Sequence, residues 1–63
     1  MDYRVSYEHS FAESPEEFVA RVASQVVTSV PANVPRALFP EFITGLIRAR
    51  SPHIGRIRNL RLL

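Results

Sequence analysis

The stretch 14–30 constrains the fold of this chain more than any other, because it carries both the start signal and the period of a helix. Ser14 is a favoured N-cap residue, and Pro15 follows at the first helical position, where its missing N–H costs nothing. Glu17, three residues after Ser14, completes a capping box. The pattern predicts a helix over residues 15–30.

The apolar side chains of this predicted helix cover an arc of about 200°, which is wider than the stripe of a helix that touches one partner. They include Val19, Val22, Val26 and Val30. Such an arc is typical of an interface helix or of the core helix of a small domain, and one helix can be both. We expect these valines to contact a partner, with Val22 and Val26 buried in the assembled state.

The length of the chain limits how it can be stabilised. Sixty-three residues make one small domain at most, and a chain of this size is marginal because it buries only about 60% of its unfolded surface. Cysteine is absent, so disulfides and thiolate metal sites are excluded. His9 and His53 match no metal spacing, and we expect His9 to be a solvated loop residue. We predict that the isolated chain is not a well-folded monomer but an oligomer or a partner-bound subunit.

The charges are distributed unevenly along the chain. All basic residues are arginine, and the net charge of +2 combines two opposite halves. Residues 1–30 hold five acids and two arginines, a net of −3, whereas residues 31–63 hold six arginines and one acid, a net of +5. A GC-rich genome accounts for an arginine bias, and so does the bidentate binding of phosphate or carboxylate. The split indicates an acidic or anionic partner for the C-terminal half.

The N-terminal residues 2–8 alternate between apolar and polar side chains. This period of two predicts a half-buried strand that pairs with the C-terminus or with another molecule. The alternative is an extended arm that lies over the helix. Arg4 and Ser6 share the outward side of this strand.

A second helix is predicted over residues 40–50, after a rigid turn that contains two prolines. Pro40 suits the first helical position, and the apolar face includes Phe42 and Leu46. The tail after it fits neither the helix period nor the strand period, because its apolar residues scatter on a helical wheel and its arginines fall on both sides of a strand. We expect an irregular or short-helical tail pressed on a partner surface, or else a frayed terminus.

The predicted fold class is therefore mainly α within a single small domain. It consists of an N-terminal strand or arm over 1–13, a helical hairpin over 14–50 with helices at about 15–30 and 40–50, and an arginine-rich C-terminal tail over 51–63.

The residues that enzymes need are not arranged for catalysis. There is no Ser/His/Asp set and no Gly-rich phosphate loop, and the adjacent Glu16 and Glu17 point about 100° apart, so they cannot face each other as a carboxylate pair. We expect no enzymatic activity, no catalytic or metal site, no cofactor and no small-molecule substrate.

The leading functional hypothesis is a structural assembly subunit, such as an accessory protein of a phage or of another large particle. The predicted partner-binding residues are apolar: Val19, Val22, Val26, Val30, Phe42, Leu46, Ile54, Ile57 and Leu60. The predicted residues for an anion or an acidic surface are Arg48, Arg50, Arg56, Arg58 and Arg61.

The alternative hypothesis is nucleic-acid binding. The order of strand 2–8, helix 15–30 and a helix over 36–50 is similar to that of the ribbon-helix-helix dimers, and the resemblance implies that Arg4 and Ser6 lie on the outward ribbon face. A tail that binds phosphate through its arginines is the other form of this alternative. No stretch is long and apolar enough to span a membrane, and no signal peptide is recognisable. We expect an intracellular location or a particle assembled there.

Overall fold

The computed structural model describes all 63 residues and contains one sheet and one helix. The three strands are antiparallel and lie in the order β2-β1-β3, so that β1 is central and the other two are edge strands. The elements are β1 (Tyr3–Phe11), β2 (Ala20–Val27), α1 (Phe39–Arg50) and β3 (Ile54–Leu62), with a 3₁₀ turn at Arg36–Leu38.

The prediction of a mainly α fold is wrong, because the helix expected over 15–30 does not form. Its cap residues make a turn instead: the Ser14 amide donates to the Phe11 carbonyl (2.9 Å), and the Glu17 amide donates to the Ser14 carbonyl (3.1 Å). Ser and Pro favour such turns for the same reasons that they favour helix starts. The capping box therefore marks the loop between β1 and β2, and there is no helical hairpin.

A bulge in β2 breaks the strand period, and its valines lie on both faces: Val22 and Val27 are directed towards the core, whereas Val26 is exposed. Val5 pairs with Gln25 and Tyr7 pairs with Val22, so three steps along β2 match two steps along β1. The extra residue places the inward positions Val22 and Gln25 three residues apart instead of two, so the segment has no constant strand period. The valines of this segment are β-branched and suit a strand.

The predicted N-terminal strand is present and extends to Phe11 as β1. Its alternate residues Val5, Tyr7 and His9 are buried on the face that α1 covers. The prediction of a solvated loop for His9 is wrong, since its side chain is only 6% exposed. The His9 ring lies against Phe11, with ring centres 5.3 Å apart, and its Nδ1 is 3.0 Å from the Ser10 carbonyl oxygen.

The predicted second helix is confirmed as α1, with Pro40 in its first turn. Ile43 and Ile47 are buried against the sheet, and Phe39 meets the Tyr3 ring edge-on with ring centres 5.1 Å apart. The helix completes a core of eight buried apolar residues: Val5, Tyr7, Val27, Val30, Phe39, Ile43, Ile47 and Ile54. The second face of the sheet carries no helix, and we call it the open face.

The expectation of an irregular or short-helical tail is also wrong, because residues 54–62 form β3. The pairing with β1 shifts twice, near Gly55 and near Asn59, so the inward positions follow no constant period. Gly55 allows a close approach: a Cβ there would lie 2.8 Å from both the Phe11 carbonyl oxygen and the Ser10 Oγ. Asn59 has a φ of 54°, which asparagine tolerates better than most residues.

Candidate binding site on the open sheet face

The open face carries a cluster of arginines, because strand alternation directs the polar residues of all three strands to it. Glu8 on β1 pairs with Arg21 on β2 and with Arg58 on β3, so these three lie in one row across the sheet. Arg61 is opposite Ser6 in the next row, and Arg4 follows along β1. Arg21 and Arg58 thus flank one carboxylate, and Arg61 and Arg4 lie in the rows that follow along the sheet.

Glu8 is fixed at the centre of this cluster. Its Oε1 accepts hydrogen bonds from the Arg58 Nε (3.0 Å) and from the Asn59 Nδ2 (2.8 Å). The bond from Asn59, followed by the bond from Arg58, holds the pKa of the Glu8 carboxyl below its ordinary value, and the charge of Arg21 adds to the effect. Glu8 is therefore ionised at neutral pH, and the face keeps one negative charge among its positive ones.

Arg58 is ordered on two sides. Its guanidinium lies over the Phe18 ring, 4.4 Å from the ring centre, while its Nε is bound to Glu8. Stacking on an aromatic ring and a charge-assisted hydrogen bond both restrict the long side chain. Its side chain is still 53% exposed, so the remaining N–H groups are accessible to a carboxylate or a phosphate.

An open hollow of about 340 Å³ lies beside this row. Its walls are mainly polar, from the residues Ser6, Tyr7, Glu8, Arg21, Asn59 and Arg61. At the next position along the sheet, the Arg4 Nη1 donates to the Ser24 Oγ (3.1 Å). The hollow offers several donors and one acceptor to a ligand, in a site that water also reaches.

The predicted anion-binding arginines divide into separate groups. Arg58 and Arg61 belong to the open face, whereas Arg48 and Arg56 line a different hollow, at the end of α1 and the start of β3. Arg50 donates from Nη1 to the Thr28 carbonyl (3.0 Å) and ties the helix end to the chain after β2. The fold brings Arg4 and Arg21, which lie far away in sequence, next to Arg58 and Arg61.

The predicted partner-binding residues also occupy different places. Val30 and Ile54 are buried in the core of the chain itself. The side chains partly buried against that core are Val22, Phe42, Leu46, Ile57 and Leu60. Val19 and Val26 are exposed, at 72% and 48%, and their burial in an assembly stays a prediction.

Sequence reasoning missed the central residues of the open face. Arg4, Ser6 and Glu8 share one side of the predicted strand, so that part of the signal was present in the alternation. Arg21 was placed on a helix, and no local pattern indicates that Asn59 or Phe18 meets this row. These contacts depend on strand pairing between segments that are about 50 residues apart in sequence.

Other features of the fold bear on its chemistry. No group of three or more His, Asp or Glu side chains gathers where a metal ion could bind. The one helix lacks the length and the apolar content to cross a membrane.

The chain matches no protein-family profile, no curated protein sequence and no solved structure.

Proposed function

We propose that this chain is a non-enzymatic subunit that binds the acidic surface of a protein partner through the open face of its sheet. The observation that carries the proposal is the set of Arg4, Arg21, Arg58 and Arg61 on one face, with Arg21 and Arg58 flanking Glu8. An antiparallel sheet can leave one face in water. Exposure to water alone does not explain why this face carries four arginines and an ordered carboxylate.

Glu8 favours a protein partner over a polyphosphate. A nucleic acid presents phosphates of one sign, and the ionised Glu8 would repel them. A protein surface carries both signs, so its carboxylates can meet Arg21 and Arg58 while a lysine or an amide donor meets Glu8. The open face also lacks a free aromatic ring for base stacking, because Phe18 is covered by Arg58.

Nucleic-acid binding is the second candidate, and the excess of positive charge on the open face favours it. Four arginines and one glutamate give the face a net charge of +3 at neutral pH. If all four arginines neutralise phosphates, the log–log slope of affinity against salt would approach about −2.8 on single-stranded DNA. The ribbon-helix-helix form of this hypothesis is excluded, because the helix that it needs after the first strand is absent.

The test compares two probes over a salt series. The first is a capped peptide, Ala-Glu-Ala-Lys-Ala-Glu-Ala, which presents two carboxylates and one ammonium on one side when extended. The second is a single-stranded DNA of 20 nucleotides. Binding is followed by amide chemical shifts of Glu8, Arg21 and Arg58. We expect the peptide to shift these residues, and the charge-reversed peptide Ala-Lys-Ala-Glu-Ala-Lys-Ala to shift them less.

Glu8→Gln distinguishes the two candidates. The substitution keeps the shape and removes the negative charge, so it weakens the peptide contact and strengthens any phosphate contact. Tighter binding of DNA than of peptide, a steep salt slope and a gain of DNA affinity in Glu8→Gln would establish the second candidate instead. Absence of binding to both probes would contradict the open face as a binding surface.

A further inference from the structure

The outer edge of β3 is an unpaired edge of the sheet. The Arg56 amide donates to the Ser10 Oγ (2.9 Å) and the Leu63 amide donates to the Arg4 carbonyl (2.8 Å), so both are directed towards β1. Backbone groups alternate in direction along a strand. The amides of Ile57 and Leu62, each one position away, are therefore directed outward, where no strand of this chain pairs with them.

A groove runs beside this edge, between α1 and β3. It has a volume of about 390 Å³. The strand side is lined by Ile57, Arg58, Asn59 and Leu60, and the helix side by Pro40, Glu41 and Thr44. Ile57 and Leu60 are only partly buried, although α1 contacts β3. The groove is the place where the inward side chains of an added strand would lie.

The open-face side of the same strand is cationic. Arg61 is exposed there, and Arg58, which also lines the groove, carries its guanidinium over the Phe18 ring. A strand added to β3 would thus place alternate side chains against two different surfaces, one apolar and one positively charged. Strand addition obtains affinity from main-chain hydrogen bonds and specificity from such alternation.

We propose that the β3 edge binds an extended segment of a partner protein in which apolar and acidic residues alternate. The apolar side chains enter the groove beside Ile57 and Leu60, and the acidic ones meet Arg58 and Arg61. The backbone at Asn59, with its positive φ and its shift in pairing, interrupts a continuous ladder. The segment is therefore short, about five to seven residues, the usual strand length.

The charges argue against a second copy of β3 as the occupant. Antiparallel pairing of two β3 strands would bring the arginines of both copies close together, and like charges across a strand pair are destabilising. The acidic loop before β2 is also a poor occupant, because Pro15 removes a donor from the ladder. This proposal goes beyond the open-face function, since it concerns the edge and the groove and does not involve Arg21.

The experiment uses the full chain and a fluorescent, capped peptide, Val-Glu-Val-Glu-Val-Glu-Val. In one matched peptide, each glutamate is replaced by lysine. In a second, N-methyl groups block the alternate backbone amides that would face the β3 edge. We expect the glutamate peptide to bind at least tenfold more tightly than either, with exchange protection of the Ile57 amide. Equal binding of the N-methylated peptide would overturn strand addition.

Three substitutions locate the site. Arg61→Glu should remove most of the preference, so that the glutamate and lysine peptides bind with similar affinity. Thr44→Trp fills the groove and should weaken binding at least fivefold. Arg21→Glu, on the opposite edge strand, should change the affinity by less than twofold.

The control also separates this proposal from the open-face function. If Arg21→Glu weakens the peptide as much as Arg61→Glu, the ligand lies across the face, which supports the open-face function and overturns the edge proposal. A concentration-dependent mass, with exchange protection of β3 but no peptide binding, would also overturn it, because the edge would then be occupied by a second copy. Folding of each variant is checked by circular dichroism.

Discussion

The two faces of the sheet differ in the side chains that they carry and in the interactions that order those side chains. The covered face places Val5, Tyr7 and Ile54 against the buried side of α1. The open face presents Arg4, Arg21, Arg58 and Arg61 near Glu8, and hydrogen bonds to Glu8 and the stacking of Arg58 on Phe18 order it. Apolar burial stabilises a fold in proportion to the area removed from water, whereas exposed ion pairs contribute little. We therefore expect the covered face to provide most of the stability, and we assign the proposed binding to the open face.

The largest effect is expected in the core. Ile43 is fully buried on α1 at the centre of the covered face. Ile43→Ala removes three methyl or methylene groups and leaves a cavity, which costs about 2–5 kcal/mol. In a chain of this size that loss is a large part of the total stability. Urea unfolding followed by circular dichroism measures it, and Leu38→Ala is the control because Leu38 is 49% exposed. Equal losses would contradict the assigned core.

The two glycines give a matched pair with opposite signs. A Cβ at Gly55 would meet the Phe11 carbonyl and the Ser10 Oγ at 2.8 Å, so Gly55→Ala should destabilise by about 1–3 kcal/mol. At Gly45 no atom lies within 4 Å of the added Cβ, and Gly45→Ala in α1 should stabilise by up to about 1 kcal/mol. Thermal melts of both variants check the pairing of β1 with β3.

The regular elements and the edge strands differ in how well the sequence predicts them. The regular elements were predictable: β1 has an unbroken alternation, and α1 has Pro40 at its start and a single apolar face. The edge strands were not, because one bulge in β2 and two shifts in β3 break the period of two. In β2 the irregular spacing indicated a helix, and Ser14 and Pro15 favoured the same wrong prediction because they also suit a helix start.

The candidate site was predictable only in part. Arg58 and Arg61 belong to an arginine-rich segment that indicated an anionic partner. Their association with Glu8 and Arg21 arises from strand order, which no local pattern reports. Phe18 was assigned to an apolar helix face, but it lies under Arg58.

The pH dependence of stability tests whether the Glu8 carboxylate is ordered on the open face. Its pKa is lowered in the folded chain, mainly by Asn59 and then by Arg58, from an ordinary value of 4.5. A lowered carboxyl pKa contributes stability that is present above 4.5 and lost as the pH falls through the folded value. Wild type should therefore lose more stability than Glu8→Gln between pH 6 and acidic pH. Glu13→Gln, in the exposed loop, is the control and should lose as much stability as wild type. If wild type loses no more stability than Glu8→Gln, the Glu8 carboxylate is not ordered as described.

The smallest effect is expected at Arg61. Its side chain is exposed, so Arg61→Ala should change the unfolding free energy by no more than about 0.5 kcal/mol. Urea denaturation at neutral pH measures this. A loss as large as that of Ile43→Ala would show that the open face is structural and would remove the contrast between the two faces.

The most direct test of that contrast measures stability and binding on one variant, Arg21→Glu with Arg61→Glu. Both residues are exposed and lie on different strands of the open face. We expect an unfolding free energy within about 1 kcal/mol of wild type, since exposed charges contribute little, together with at least a tenfold loss of affinity for the Ala-Glu-Ala-Lys-Ala-Glu-Ala peptide. A folded variant that still binds the peptide with wild-type affinity, or a variant that unfolds, would contradict this expectation.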